Sequence, residues 1–232
     1  MQAKSYKHLF FDLDRTLWDF NRNSAEAIEE LFYKHKLDQK LSVEFPDFFK
    51  VYSFINDELW AQYRKGEVVK DELRQQRYLL SFQHFGYDDA PLALQFNDEY
   101  VSTSSSKTHL LPHAIEVLEY LKQKYNLHII TNGFVEAQNV KLDNCDIRKY
   151  FTTIIISDGM GFRKPDKRIF HHAMKEAGAK SANSLMIGDD YGPDVIGAKA
   201  VGMDQVYLCA KPVSGQIATF TIANLKELLD IL

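Results

Sequence analysis

Two aspartates one residue apart, Asp12 and Asp14, follow directly on the apolar run Leu9-Phe10-Phe11. If the extended backbone of the run continues through them, alternate residues point the same way and both carboxylates face one pocket. Like charges that close are costly unless a cation or a shared proton relieves them. A plain loop carrying two solvated acids has the same spelling, so the pair gains meaning only from what ends the other apolar runs.

Three further runs end in chemistry. Leu127–Ile130 is followed by Thr131-Asn132-Gly133, where a hydroxyl, an amide and close backbone approach suit a phosphate oxygen. An ordinary Asn-Gly turn reads the same way. Thr153–Ile156 leads to Lys164, whose compact charge suits a phosphate or a carboxylate, as it would also suit water. Leu185–Ile187 leads to Gly188-Asp189-Asp190 and then Asp194. Carboxylates grouped in this way match magnesium, although Asp194 could equally cap a following helix.

The elements that must position these residues are short apolar strands alternating with helices. That pattern predicts an α/β fold: a Rossmann-like parallel sheet with helices on both faces and its ligand site beyond the carboxyl strand ends. Expected helices cover 114–124, 135–143, 167–177, 194–200 and 225–232, and further strands 205–208 and 219–222. After the first strand, Asn23 with Glu26 three residues on resembles a helix start, and Ala25, Ile28, Leu31 and Phe32 follow at helical spacing. From Phe45 to Tyr100 the pattern is helical, with helices ending near Lys65, spanning 70–85 and spanning 91–101, and the serine-rich stretch 102–106 is expected to be a linker. The expected organisation is an α/β core of residues 1–16 and 106–232 with an inserted α-helical domain at 17–105.

The chain has 232 residues, 45% of them hydrophobic, and a formal net charge of -4. This is the composition of a soluble globular protein, and the charge argues against binding a nucleic acid polymer through a basic surface. The two cysteines, Cys145 and Cys209, have no metal-binding spacing and suggest a reducing compartment. The N-terminal stretch Met1–His8 leads into a run too short for a signal peptide or membrane span, so a cytoplasmic protein is expected.

Taken together, Phe10-Phe11-Asp12-Leu13-Asp14-Arg15-Thr16, Ile129-Ile130-Thr131, Lys164, and Met186-Ile187-Gly188-Asp189 with Asp194 resemble the four motifs of the haloacid dehalogenase (HAD) superfamily, in order. The helical insert resembles that family's α-helical cap. Residues Phe11–Phe20, Leu59–Glu67 and Glu72–Tyr78 resemble the bacterial pyrimidine 5′-nucleotidase branch.

The resemblance implies a magnesium-dependent phosphatase that hydrolyses a small phosphomonoester through an aspartyl phosphate. It assigns Asp12 as nucleophile and Asp14 as general acid and base, with an Asp14 pKa expected to be raised beside the other aspartate. Magnesium would be held by the side chains of Asp12 and Asp189 and the backbone carbonyl of Asp14. Asp190 and Asp194 would act through water or by orienting Lys164. Thr131, Asn132 and Lys164 would bind phosphate, joined by backbone amides near Leu13 and Asn132. Haloacid dehalogenases of the superfamily lack the second aspartate, so Asp14 speaks for phosphate chemistry.

The cap is expected to choose the substrate, with Trp18, Phe20, Phe54, Trp60 and Tyr63 as a wall for a base and Arg64, Lys65 and Arg74 nearby. Ordinary helix packing would use the same aromatics. Acting on a pyrimidine nucleotide, on a sugar phosphate, or as a phosphomutase would each use these motifs, by a monomer or homodimer. A receiver-type phosphoryl acceptor would need a middle strand ending in Asp, which is absent. A phospho-ligand-binding protein without activity would have no need of the whole motif set.

Overall fold

The run Leu9–Phe11 lies in β1 (His8–Phe11), and the other strands are β2 (Asn126–Thr131), β3 (Phe151–Ile156), β4 (Ser184–Gly188), β5 (Asp204–Leu208) and β6 (Phe220–Ile222). They form one six-stranded parallel sheet in the order β3-β2-β1-β4-β5-β6. The helices are α1 (Phe20–Lys34), α2 (Leu37–Leu41), α3 (Phe45–Lys65), α4 (Lys70–His84), α5 (Ala90–Ser106), α6 (Ala114–Leu121), α7 (Val135–Asn144), α8 (Lys167–Glu176), α9 (Gly197–Lys199) and α10 (Leu228–Ile231). This computed structural model describes residues 5–216 and 218–232. The first four residues of the N-terminal stretch lie outside the described residues. Among those described, no helix is long and apolar enough to cross a membrane.

The sheet is apolar on both faces, which is why its strands read as unbroken hydrophobic runs. Leu9 and Phe11 of β1, Ile129 of β2 and Leu185 and Ile187 of β4 join one buried cluster with α6, Leu142 of α7 and Leu228 of α10. Phe10, Ile130 and Met186 point the other way, into a cluster with Ile169, Phe170 and Met174 of α8 and Ala198 of α9. Chain direction from β1 diverges to β2 on one side and β4 on the other, so the crevice of this strand order opens at β1. Phe11 is level with Ile129 and with Ile187. The residues just past β1, at the end of β2 and just past β4 therefore emerge at one edge.

The chain divides into two compact units, Met1–Phe20 with Thr108–Leu232, and Asn21–Lys107. The first unit extends beyond the expected residue 16 because Leu17 and Trp18 are fully buried in its core. The connecting segments pair there: the Asp19 N–H donates to His109 O (3.0 Å) and the Leu111 N–H to Leu17 O (2.8 Å). Helix α1 correspondingly starts before the expected Asn23, which is itself buried within it.

The second unit is helical. Phe32, Phe48, Tyr52, Tyr78, Phe82, Phe96 and Tyr100 fill its interior, with Tyr52 stacked on Tyr78 at a 5.0 Å centroid distance. Gly66 ends α3 at φ 78°, a left-handed conformation that glycine adopts without strain. The serine-rich stretch is not a linker but the last turns of α5. Its hydroxyls bond back to the helix, Ser102 Oγ to Glu99 O (2.9 Å) and Ser105 Oγ to Val101 O (2.7 Å), and Ser104 and Ser105 are buried. Such back-bonding is compatible with a helix without favouring it, so the helical state here goes with the burial of Ser104 and Ser105.

Two other expected helices differ in form. The one at 194–200 opens earlier as a π-helical turn, Tyr191–Ile196, ahead of α9. The last divides into a 3-10 turn, Leu225–Glu227, and α10. Both cysteines are free thiols.

Candidate active site

Asp12 follows β1 and is nearly buried, its N–H tied to Ile187 O of β4 (2.9 Å). Its Oδ1 accepts from Lys164 Nζ at 2.6 Å. The same ammonium donates to Asp194 Oδ1 at 2.7 Å, and the second oxygen of Asp194 accepts the Asp190 N–H at 3.0 Å. The π-helical turn thus directs Asp194 inward, and Gly188 makes room for it: a Cβ at Gly188 would lie 2.2 Å from Asp194 Oδ2. Lys164 is held by its backbone, since Asn132 Oδ1 accepts the Lys164 N–H and Asn132 Nδ2 donates to Lys164 O, each at 2.9 Å. The side chain of Asn132 is thereby committed to the lysine, leaving its backbone amide for a ligand.

Asp189 completes the group. Its Oδ1 accepts from Thr16 Oγ1 at 3.2 Å, and oxygens of Asp12, Asp189 and Asp194 lie within 4.8 Å of one another. Burial pushes the Asp12 carboxyl well above the usual range; Lys164 opposes this, while Asp194 and Asp189 add to it. Burial likewise raises Asp189 to about 7, helped by the Asp194 charge, and raises Asp194. Burial alone would lower Lys164, but the Asp12 and Asp194 carboxylates outweigh it and hold its pKa above the ordinary lysine value. Three carboxylates against the Lys164 ammonium, with the Arg15 charge also acting on Asp189, still leave a deficit of positive charge. Hard oxygen donors in that condition fit a divalent cation such as magnesium.

Asp14 has different partners. Its Oδ1 accepts from Lys141 Nζ at 2.6 Å and its Oδ2 from Gln138 Nε2 at 2.9 Å. Gln138 Nε2 also donates to Thr131 Oγ1 at 2.7 Å, so Thr131 at the end of β2 is joined to Asp14 through α7. The side chain expected to lean on its fellow aspartate instead rests on a cation and an amide.

The residues expected to form an aromatic wall are divided between the two units. Trp18 is fully buried in the sheet-bearing unit, where the turn Leu13–Trp18 folds back on itself with the Leu17 and Trp18 N–H groups both donating to Leu13 O (2.9 Å each). Phe20 packs against the same core, with the Arg15 guanidinium 4.4 Å from its ring centroid. In the helical unit, Trp60 and Tyr63 meet edge to face at 5.5 Å; Tyr63 is buried and Arg64 half-buried. Phe54 is 70% exposed and packs into neither cluster.

Gln138 and Lys141 are the site residues that the motifs do not reveal. Their signal is a pair of long polar side chains on a buried face: α7 buries Gln138 and Lys141 beside Leu142 and leaves Val135 and Val140 exposed.

A protein-family model described as haloacid dehalogenase-like hydrolase matches residues 6–202. The chain is 29% identical over 228 residues to the pyrimidine 5′-nucleotidase YjjG of Escherichia coli (strain K12), covering 97% of this chain and 96% of that one. It is 28% identical over 202 residues to the glyceraldehyde 3-phosphate phosphatase of Methanothermobacter thermautotrophicus, covering 86% and 84%. YfnB of Bacillus subtilis (strain 168), a HAD-hydrolase by name, is 30% identical over 233 residues, covering 99% and 96%. The crystal structure of YfnB bound to magnesium matches with a TM-score of 0.89 at 28% identity, covering 99% of both chains. With four motif-bearing strand ends on one edge of a parallel sheet and a family model spanning most of its length, the chain belongs to the haloacid dehalogenase-like hydrolases.

Proposed function

We propose that this hydrolase is a magnesium-dependent phosphatase that cleaves a small phosphomonoester, most suitably a pyrimidine nucleoside 5′-monophosphate, through an aspartyl phosphate on Asp12. The observation that carries the chemistry is the division of labour between the two aspartates: Asp12 among cationic and acidic partners, Asp14 on a separate pair of donors. Expulsion of a halide needs no proton, whereas expulsion of an alkoxide does. A second, independently held carboxyl group supports phosphate-ester chemistry.

Asp12 and Asp189, with the Asp14 backbone carbonyl, would hold magnesium, which supplies positive charge that lets an anionic nucleophile approach an anionic phosphoryl group. Lys164 fixes Asp12 Oδ1 and leaves Oδ2 for attack on phosphorus. As that bond forms, the bond to the ester oxygen breaks and the departing oxygen takes the proton of the Asp14 carboxyl group. The Thr131 hydroxyl and the backbone amides after Asp12 and Thr131 hold the phosphoryl oxygens, and Lys164 offsets their charge. A water then attacks phosphorus while Asp14 takes its proton. The phosphorus–Asp12 bond breaks, and inorganic phosphate and the free carboxylate are restored.

The nucleotide preference is supported by the full-length similarity to a pyrimidine 5′-nucleotidase. Phosphate release from a panel of nucleoside monophosphates and sugar phosphates tests it. Pyrimidine monophosphates are expected to lead, with release abolished by EDTA and reduced at least about 10⁴-fold by Asp12→Asn. Sugar phosphates leading under the same controls would keep the mechanism and reject the nucleotide assignment. An Asp12→Asn variant that remains active would reject the nucleophile.

A further inference from the structure

Each carboxylate oxygen of Asp14 has its own donor, and both donors come from one helix face. Gln138 and Lys141 stand three residues apart on α7 and so project to the same side. Rotation of the Asp14 carboxyl group would break the bond to Lys141 and the bond to Gln138 together. Lys141 is itself confined. Its side chain is 7% exposed, and its Nζ lies 4.1 Å from the centroid of the Trp18 ring, which belongs to the same turn as Asp14. Gln138 is confined by Gly133, where a Cβ would stand 2.4 Å from its Cδ. Ordering a buried lysine or glutamine costs side-chain entropy, while the exposed valines of α7 forgo burial.

We propose that Lys141 and Gln138 are positioning residues, which hold the Asp14 carboxyl group in one orientation and in register with Thr131. The inference rests on Asp14 as the proton carrier of the proposed hydrolysis, and it concerns where that carboxyl group stands. Trp18 serves as the apolar floor beneath Lys141. The group that protonates the departing oxygen and the hydroxyl that holds the phosphoryl oxygens are then fixed relative to each other through a single amide.

Proton delivery matters in proportion to the basicity of the leaving oxygen. An alkyl oxygen needs the proton to depart, whereas nitrophenolate departs without it. The test compares, with magnesium, the pre-steady-state rate of leaving-group release and its dependence on substrate concentration, a step completed before Asp14 serves as base, for p-nitrophenyl phosphate and for the alkyl phosphate that the wild type hydrolyses best, in Lys141→Met, Lys141→Arg and Gln138→Leu. Lys141→Met is expected to lose about 10²-fold in that rate on the alkyl ester, with little change on the nitrophenyl ester and in the concentration dependence. Lys141→Arg is expected to recover most of that loss, and Gln138→Leu to show the same selectivity at smaller size. Equal losses on both esters, or none on either, would overturn the proposal. Should Lys141→Met fail a circular-dichroism check of folding, the arginine and glutamine variants decide the same question. Wild type inactive on every ester would remove the phosphatase assignment and this proposal with it, an outcome distinct from uniform losses in the variants.

Discussion

The site contains two lysine–aspartate contacts of the same length, 2.6 Å, and they do different work. Lys164 is 2% exposed and bridges two carboxylates, with a third nearby; removing it would leave buried like charges facing one another. Lys141 serves one aspartate that is 24% exposed, shares it with an amide, and rests on an indole ring. A cation among several buried acids balances charge. A cation opposite one half-open acid, paired with a neutral donor, sets direction. The ion-pair distance alone does not separate these cases; burial and the number of acids do.

The contrast should be largest in stability. In magnesium-free buffer, Lys164→Met is expected to cost about 3–5 kcal/mol by urea unfolding, the range for breaking a buried pair from one side. Lys141→Met is expected to cost about 1–2 kcal/mol, as loss of a charged hydrogen bond at a partly open site. Equal costs would place Lys141 in the charge-balancing class as well.

Two glycines sharpen the comparison further. In Gly188→Ala the new Cβ would sit 2.2 Å from Asp194 Oδ2 and 2.6 Å from its Cβ, so the aspartate must leave Lys164. A loss of about 1–3 kcal/mol is expected, with kcat reduced on alkyl and aryl esters alike. In Gly133→Ala the clash is with the long Gln138 side chain, which can swing aside. Stability should fall by no more than about 1 kcal/mol, and the loss in the rate of leaving-group release should be confined to the alkyl ester. Thermal unfolding and the two-ester assay read both variants.

The first contact was legible in sequence because each of its members ends an apolar strand or follows one closely. Strand register then places Asp12 and Asp189 at one edge whatever the helices do. The second was not, because Lys141 and Gln138 reach Asp14 across 127 and 124 residues from the middle of a helix, and no strand end marks them. Trp18 misled for a related reason: its place in the sequence suggests the insert, while the turn Leu13–Trp18 carries it back into the core. The serine-rich end of α5 misled by composition, since Ser104 and Ser105 are buried within a helix that runs on to Ser106. Helix and strand order along the core came from periodicity, which buried two-faced strands display strongly.

The most direct test of the account is to find where the phosphoryl group goes. Asp14→Asn should still accept it from p-nitrophenyl phosphate, because that leaving group needs no proton, but should lack the base that releases it. Acid quenching during turnover, followed by peptide mapping, is predicted to find one phosphoryl group on Asp12. A phosphoryl group on another residue, or turnover with none bound to the protein, would contradict the account.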